Sequence, residues 1–267
     1  MCEFCIKHGE GKKWYLVMRN YSRELRNEKR RDKFIKYYWA RWEDYYRQFA
    51  AVDAVTNVPV VGSLARRYAR YKLKSEEWAQ VVPIEDVEQI LDMQDSIVRL
   101  PCVCRKMATG RETRYCIGVG VDDTGILGKY PDYSHSLEVL EKEEAKKLLR
   151  SFDEQGLVHK VYTMMTPYIG NICNCDQDCI GYRAQEKAKL LQTMFRAEFV
   201  ALVDWELCNG CKQCLLRCQF GAINYSNTIE KPTIQMSQCY GCGLCRVACD
   251  KGAITLKPRT DFPKLPW

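Results

Sequence analysis

The chain has 267 residues, 46% of them apolar and 28% charged, which excludes a disordered polypeptide and allows a normal hydrophobic core. The formal charge is +7, but 16 residues are cysteines and no charged-then-apolar leader opens the sequence, so metal is expected rather than disulfides. The longest apolar stretches, such as Val55 to Leu64, are too short to cross a bilayer and contain Pro59.

The N-terminal quarter is basic. Residues 1–75 hold 18 Lys and Arg against 8 Asp and Glu, whereas the remainder holds 23 against 26. Arg30-Arg31 is not followed by an apolar region and is no export signal, so a cytoplasmic protein is expected. Tyr21 to Phe49 has no Gly or Pro and predicts one long helix, with Ser22 as N-cap and Glu24 in the first turn. Pro59 and Gly62 end it, and a second short basic helix is expected over Ser63 to Leu73. A further helix is expected over Pro83 to Met93, with proline in the first turn and Glu85-Asp86 at its positive end.

Residues 100–198 read as a cysteine-rich region. Cys116 to Val121 is strand-like, Glu141 to Gln155 predicts a helix closed by Gly156, and Leu157 to Tyr162 predicts a strand. Tyr182 to Arg196 predicts another helix.

From Phe199 onward the chain repeats itself. Cys208, Cys211, Cys214 and Cys218, followed by Gly221-Ala222-Ile223, recur 31 residues later as Cys239, Cys242, Cys245 and Cys249, followed by Gly252-Ala253-Ile254. Each copy reads C-x2-C-x2-C-x3-C, which can set three thiolates on three corners of one cubane. Zinc sites instead show two C-x2-C pairs. Two copies of a unit too small to bury its own face imply a pseudo-symmetric pair.

Residues 199–257 thereby resemble the bacterial-type dicluster 4Fe-4S ferredoxins. The resemblance implies one-electron transfer, two 4Fe-4S clusters and a crossed ligand set. Cluster one would use Cys208, Cys211, Cys214 and Cys249; cluster two would use Cys239, Cys242, Cys245 and Cys218. Gly210, Gly241 and Gly243 would bring backbone N–H groups to the sulfurs. Gln219 and Asp250 follow the fourth cysteines where the family usually has proline. An oxidised four-thiolate cluster carries a net 2−, so two clusters reduce the charge to about +3 and four to about −1. Basicity then argues little for nucleic acid.

Eight cysteines lie outside the repeat: Cys2, Cys5, Cys102, Cys104, Cys116, Cys173, Cys175 and Cys179. The C-x-C-R at Cys102 and the C-N-C at Cys173, ahead of a dicluster module, resemble an element of larger anaerobic iron–sulfur proteins. An extended C-x-C sends both thiols to one face of a strand. One or two further 4Fe-4S clusters are expected. The first would use Cys102, Cys104, Cys116 and one of the Cys173 group; the second would use Cys2, Cys5 and the remaining two. Zinc at Cys2 and Cys5, unligated buried thiols, or a cluster shared with a partner chain remain open.

The expected class is α+β: a helical basic region over 1–99, a small α/β cysteine-rich region over 100–198, a pseudo-symmetric ferredoxin-like module over 199–257 and a tail over 258–267. The basic aromatic segment reads foremost as a docking arm, with an anionic membrane surface or single-stranded nucleic acid as other readings. His159 reads as a structural hydrogen-bonder, and no phosphate loop or hydrolytic constellation is present. The leading function is an electron-transfer protein, either a relay subunit or dedicated donor of a larger cytoplasmic oxidoreductase of an anaerobe. A small reductase with an open iron site on Cys102, Cys104 and Cys116, and an iron–sulfur regulator, are the alternatives.

Overall fold

The computed structural model describes residues 12–41, 78–120, 137–183, 185 and 194–266, with isolated positions between 42 and 77. Alternation along short strands builds its main sheet. The strands are β1 (Ala79–Val81), β2 (Ile97–Leu100), β3 (Cys116–Val119), β4 (Glu138–Val139), β5 (Val158–Thr163), β6 (Ile169–Cys175) and β7 (Met194–Phe195). They lie in the order β4-β2-β3-β6-β5-β1-β7. Neighbours are antiparallel except β1 and β7, which are parallel.

One face of this sheet presents Ile97, Ile117, Val119, Val161 and Ile172 to two helices. The first, Ile84–Asp92, starts after Pro83 with Glu85 and Asp86 in its first turn, and applies Val87, Ile90 and Leu91. The second, Lys142–Glu154, applies Ala145, Leu149 and Phe152 at helical spacing and stops before Gly156, whose φ is +86°. Full burial of each large side chain contributes roughly 1.5–3 kcal/mol.

The opposite face carries Val98, Leu100, Cys116, Gly118, Lys160, Cys173 and Cys175, as strand alternation requires. The helix Lys29–Ala40 covers one end of this face with Ile35 and Tyr38. Gly118 leaves room for that packing: a Cβ there would stand 2.8 Å from Val98 Cγ2 and 3.1 Å from Leu100 Cδ1.

Several expectations change at the N-terminal side. The single helix expected from Tyr21 is broken. Ser22 does cap a helix, accepting from the Leu25 N–H at 3.2 Å, but that helix is only Arg23–Arg26. Asn27 and Glu28 interrupt it, and the Glu28 carboxylate caps a second helix, Lys29–Ala40, by accepting from the Arg30 and Arg31 N–H groups. Residues beyond 41 fall mostly outside the described part. Those described within the helix expected over Ser63–Leu73 (63, 64, 67, 68 and 71) are helical.

Several aromatics here are anchored inside the molecule, while Tyr37, Tyr68 and Tyr71 are exposed. Trp14 stacks on Trp78 with centroids 5.1 Å apart, Tyr15 donates to Asp86 Oδ2 at 2.6 Å, and Tyr21 and Tyr38 are buried. A division between 1–99 and 100–198 would run through β2, and it would separate β1 from the β5 strand it pairs with. The helix expected to reach Arg196 does not: Ile180–Tyr182 is helical, but Met194–Phe195 is strand β7, held by β1.

The C-terminal module is built from β8 (Phe199–Val203), β9 (Ile223–Ser226), β10 (Lys231–Ile234) and β11 (Ile254–Pro258), with short helices Gln213–Arg217 and Leu244–Val247. The opening strand of each sequence copy pairs with the closing strand of the other: β8 with β11 and β10 with β9, both antiparallel. Residues 258–266 are no loose tail. Arg259 is fully buried and donates to the carbonyls of Ala197, Phe199 and Cys239 at 3.1, 2.8 and 2.7 Å. The whole is α+β, and no described helix is long and apolar enough to cross a membrane.

Candidate metal centres

Glycine conformation places the thiols of the C-terminal module. Gly210 and Gly241, 31 residues apart, have φ of +73° and +69°. A Cβ on Gly210 would run into the Glu230 carbonyl, and one on Gly241 into that of Phe199. Their N–H groups turn onto Cys208 Sγ and Cys239 Sγ, both at 3.4 Å. The same 31-residue relation links Ala222 N–H to Cys218 Sγ at 3.2 Å and Ala253 N–H to Cys249 Sγ at 3.3 Å. Such donors favour thiolate over thiol and moderate the charge of a bound cluster.

Thiols of the two copies lie together. Cys218, from the first copy, lines one cavity with Cys239, Cys242 and Cys245 from the second, closed by Phe220, Ala222, Ile223, Ile234 and Leu244. Cys214 has Cys208, Cys211 and Cys249 as its charged neighbours. Burial foremost, then these thiolates, push Cys214 up to about 11. Burial foremost likewise pushes Cys245 up to about 12 and raises Cys239 and Cys242. Buried thiols of this kind become thiolates only against compensating positive charge, which iron supplies. Cys211 alone of the eight is exposed, so the Cys208 group is the more exposed of the two.

The other cysteines come together on the inner face of the large sheet. Cys173 and Cys175 alternate on β6, with Asn174 between them on the far face. There Asn174 Oδ1 lies 2.6 Å from His159 Nδ1, and His159 is a buried structural partner. Cys116 of β3 pairs with Cys173. The Cys102–Cys104 stretch is not extended: Cys102 precedes a helix, Val103–Thr109, that contains Cys104. Tyr115 N–H donates to Cys102 Sγ at 2.9 Å, and Cys116 Sγ donates to it at 3.4 Å. Thiol contacts then run from Cys116 to Cys173, Cys175, Cys179 and Cys104, making one row of six. Cys2 and Cys5 lie outside the described residues.

Sequence reasoning missed the cations set into this row. Lys160 of β5 pairs with Cys173 and is 5% exposed. Burial disfavours its ammonium, yet the thiolates of Cys175, Cys179, Cys173 and Cys104 together hold its pKa above the ordinary value. Thiol hydrogen bonds foremost, aided by Lys160, hold Cys173 and Cys179 well below the usual thiol range. Arg105, also buried, bonds Asp176 at 3.0 Å beside Cys102 and Cys175. An inward lysine on a strand is the available sequence signal, but the facing thiols belong to distant segments. Among the described residues no three His, Cys, Asp or Glu side chains converge as a single metal ion requires.

The two cysteine regions touch. Phe220 stacks on Tyr240 with centroids 3.9 Å apart, and Tyr182 lies 5.9 Å from Phe220. Cys104, Cys173, Cys175 and Cys179 share one apolar cluster with these rings, Leu244 and Cys242. Gln219, standing where proline is usual, ties the regions together: its side chain donates to the Gly156 carbonyl, and its own carbonyl accepts from the Tyr182 hydroxyl.

Residues 207–253 match the family model of the 4Fe-4S dicluster domain. The module is thus an iron–sulfur electron-transfer unit of ferredoxin type. No curated protein matches the chain.

Proposed function

We propose that this protein is an electron relay, a subunit or dedicated donor within a larger cytoplasmic oxidoreductase of an anaerobe. Two 4Fe-4S clusters would be held in the crossed manner, on Cys208, Cys211, Cys214 and Cys249 and on Cys239, Cys242, Cys245 and Cys218. The observation that carries the reading is the apolar cavity on which Cys218 joins the three thiols of the other copy. Each cluster, when bound, accepts and releases one electron without making or breaking a bond. The chain's own residues fix that chemistry in place. The thiols bind, the N–H groups of Gly210, Gly241, Ala222 and Ala253 donate to sulfur, and Phe220, Ile223 and Leu244 exclude water. Exposed Trp205, Leu207, Leu216 and Cys211 offer a partner protein the face nearest the first group.

The reductase alternative began from Cys102, Cys104 and Cys116 standing as an incomplete set. The thiol contacts that run on to Cys173, Cys175 and Cys179 favour the relay reading over it. The nucleic-acid reading would draw on exposed aromatics: Trp14, Tyr15, Tyr21 and Tyr38 are buried, while Tyr37, Tyr68 and Tyr71 are exposed.

The test is anaerobic purification followed by iron and sulfide analysis and electron paramagnetic resonance. At least about eight irons per chain are expected, and fewer than about six would end the proposal. Cys218→Ser should remove the signal of the second group only, and Cys249→Ser that of the first only. The reverse pattern would refute the crossing.

A further inference from the structure

We propose that Cys104, Cys173, Cys175 and Cys179 bind a third iron–sulfur cluster, of the four-iron class, against Lys160 and next to the Cys239 group. The inference deepens the relay reading above and rests on it. Its first support is grouping. The four thiols come from the Val103–Thr109 helix, β6 and the turn after β6, yet they share one apolar cluster. Cys102 and Cys116 stand at the far end of the row as a hydrogen-bonded pair served by the Tyr115 N–H.

The second support is placement. Lys160 of β5 is 5% exposed and pairs across the strands with Cys173, on the sheet face that also carries Cys175. A buried lysine at this place would counter the net negative charge of a four-thiolate cluster. The third support is position. Cys242 of the Cys239 group lies in the same apolar cluster as all four thiols, with Leu244 and the Phe220–Tyr240 stack, whereas none of Cys208, Cys211, Cys214 and Cys249 does. The three sites therefore form a series running from the exposed Cys208 group through the Cys239 group to the sheet. An electron lost by one cluster is the electron gained by the next, with no bond made or broken.

The full chain, purified without oxygen, should hold about twelve irons and as many sulfides. Cys173→Ser and Cys179→Ser should each remove about four irons and leave both signals of the C-terminal module intact. Those surviving signals show that the chain has folded and keep this outcome separate from failure of the relay reading. Cys102→Ser and Cys116→Ser should keep all three clusters. Lys160→Met should shift the midpoint potential of the third cluster downward, because it removes positive charge that stabilises the reduced state, and should leave the other two unchanged. Spin coupling should appear between the third cluster and that of the Cys239 group, and should vanish in Cys218→Ser. A wild-type chain with about eight irons, or one with zinc bound by the sheet thiols, overturns the proposal. Loss of the third cluster in Cys102→Ser or Cys116→Ser overturns the ligand set.

Discussion

The two cysteine regions gather thiols by opposite means. In the C-terminal module the spacing does it: loops turned by Gly210 and Gly241 carry three cysteines each, with Cys218 near the Cys239 group and Cys249 near Cys214. In the sheet the topology does it: six thiols from four elements meet because β3, β6 and β5 lie side by side and two helices close over them. A site of the first kind depends on a few backbone angles and survives most changes elsewhere. A site of the second kind depends on the whole core beneath it.

That contrast can be broken by substitution. The largest effect is expected for Ile172→Ala, which empties a fully buried position on the helix-covered face of β6, between Asn171 and Cys173. It should cost about 2–5 kcal/mol in denaturant unfolding, with the sheet lost and the module's iron retained. Equal iron loss from both regions would show that the module depends on the same core. Gly241→Ala attacks the other kind of site. Its Cβ meets the Phe199 carbonyl at a φ of +69°, so a cost of roughly 2–4 kcal/mol and weaker iron binding by the Cys239 group are expected. Iron analysis and thermal melting measure both.

The seam between the regions should respond more mildly. Gln219→Ala removes the side-chain bond to the Gly156 carbonyl and should cost about 1 kcal/mol, seen as faster amide exchange around Gly156 with cluster content unchanged. The smallest effect belongs to Glu28, whose carboxylate is held below its ordinary range by the Arg30 N–H foremost and the Arg31 N–H. Because this folded-state pKa is depressed, the cap's contribution is full above the ordinary carboxylate pKa and disappears as pH falls through the lowered value. An NMR titration of Glu28 in wild type, set against the helical signal of Glu28→Ala at neutral pH, measures it.

The sequence made the local features readable. A 31-residue repeat specified the module, because cysteine spacing and glycine are themselves its geometry. Ser22 and Pro83 marked true helix starts, and the strand expected over Leu157 to Tyr162 is β5. Features decided by distant partners were not readable. Met194–Phe195 continues a helical pattern, yet it is a strand because β1 offers it an edge. Cys102-Val103-Cys104 suggested an extended pair by its alternation, yet Cys102 precedes a helix that contains Cys104. Asn27 and Glu28 are ordinary helix residues until the Glu28 side chain bonds the next turn's N–H groups. The row of six thiols needed the register of β3 on β6, which composition does not encode.

The pairing of β8 with β11 and of β10 with β9 makes the duplicated halves inseparable. Each copy supplies one strand to each two-stranded sheet, so neither retains a complete sheet when the other is removed. A duplication of this form behaves as a single cooperative object. A cut in the linker between the copies should yield two fragments that fold only on recombining, and iron should return in one step rather than half at a time.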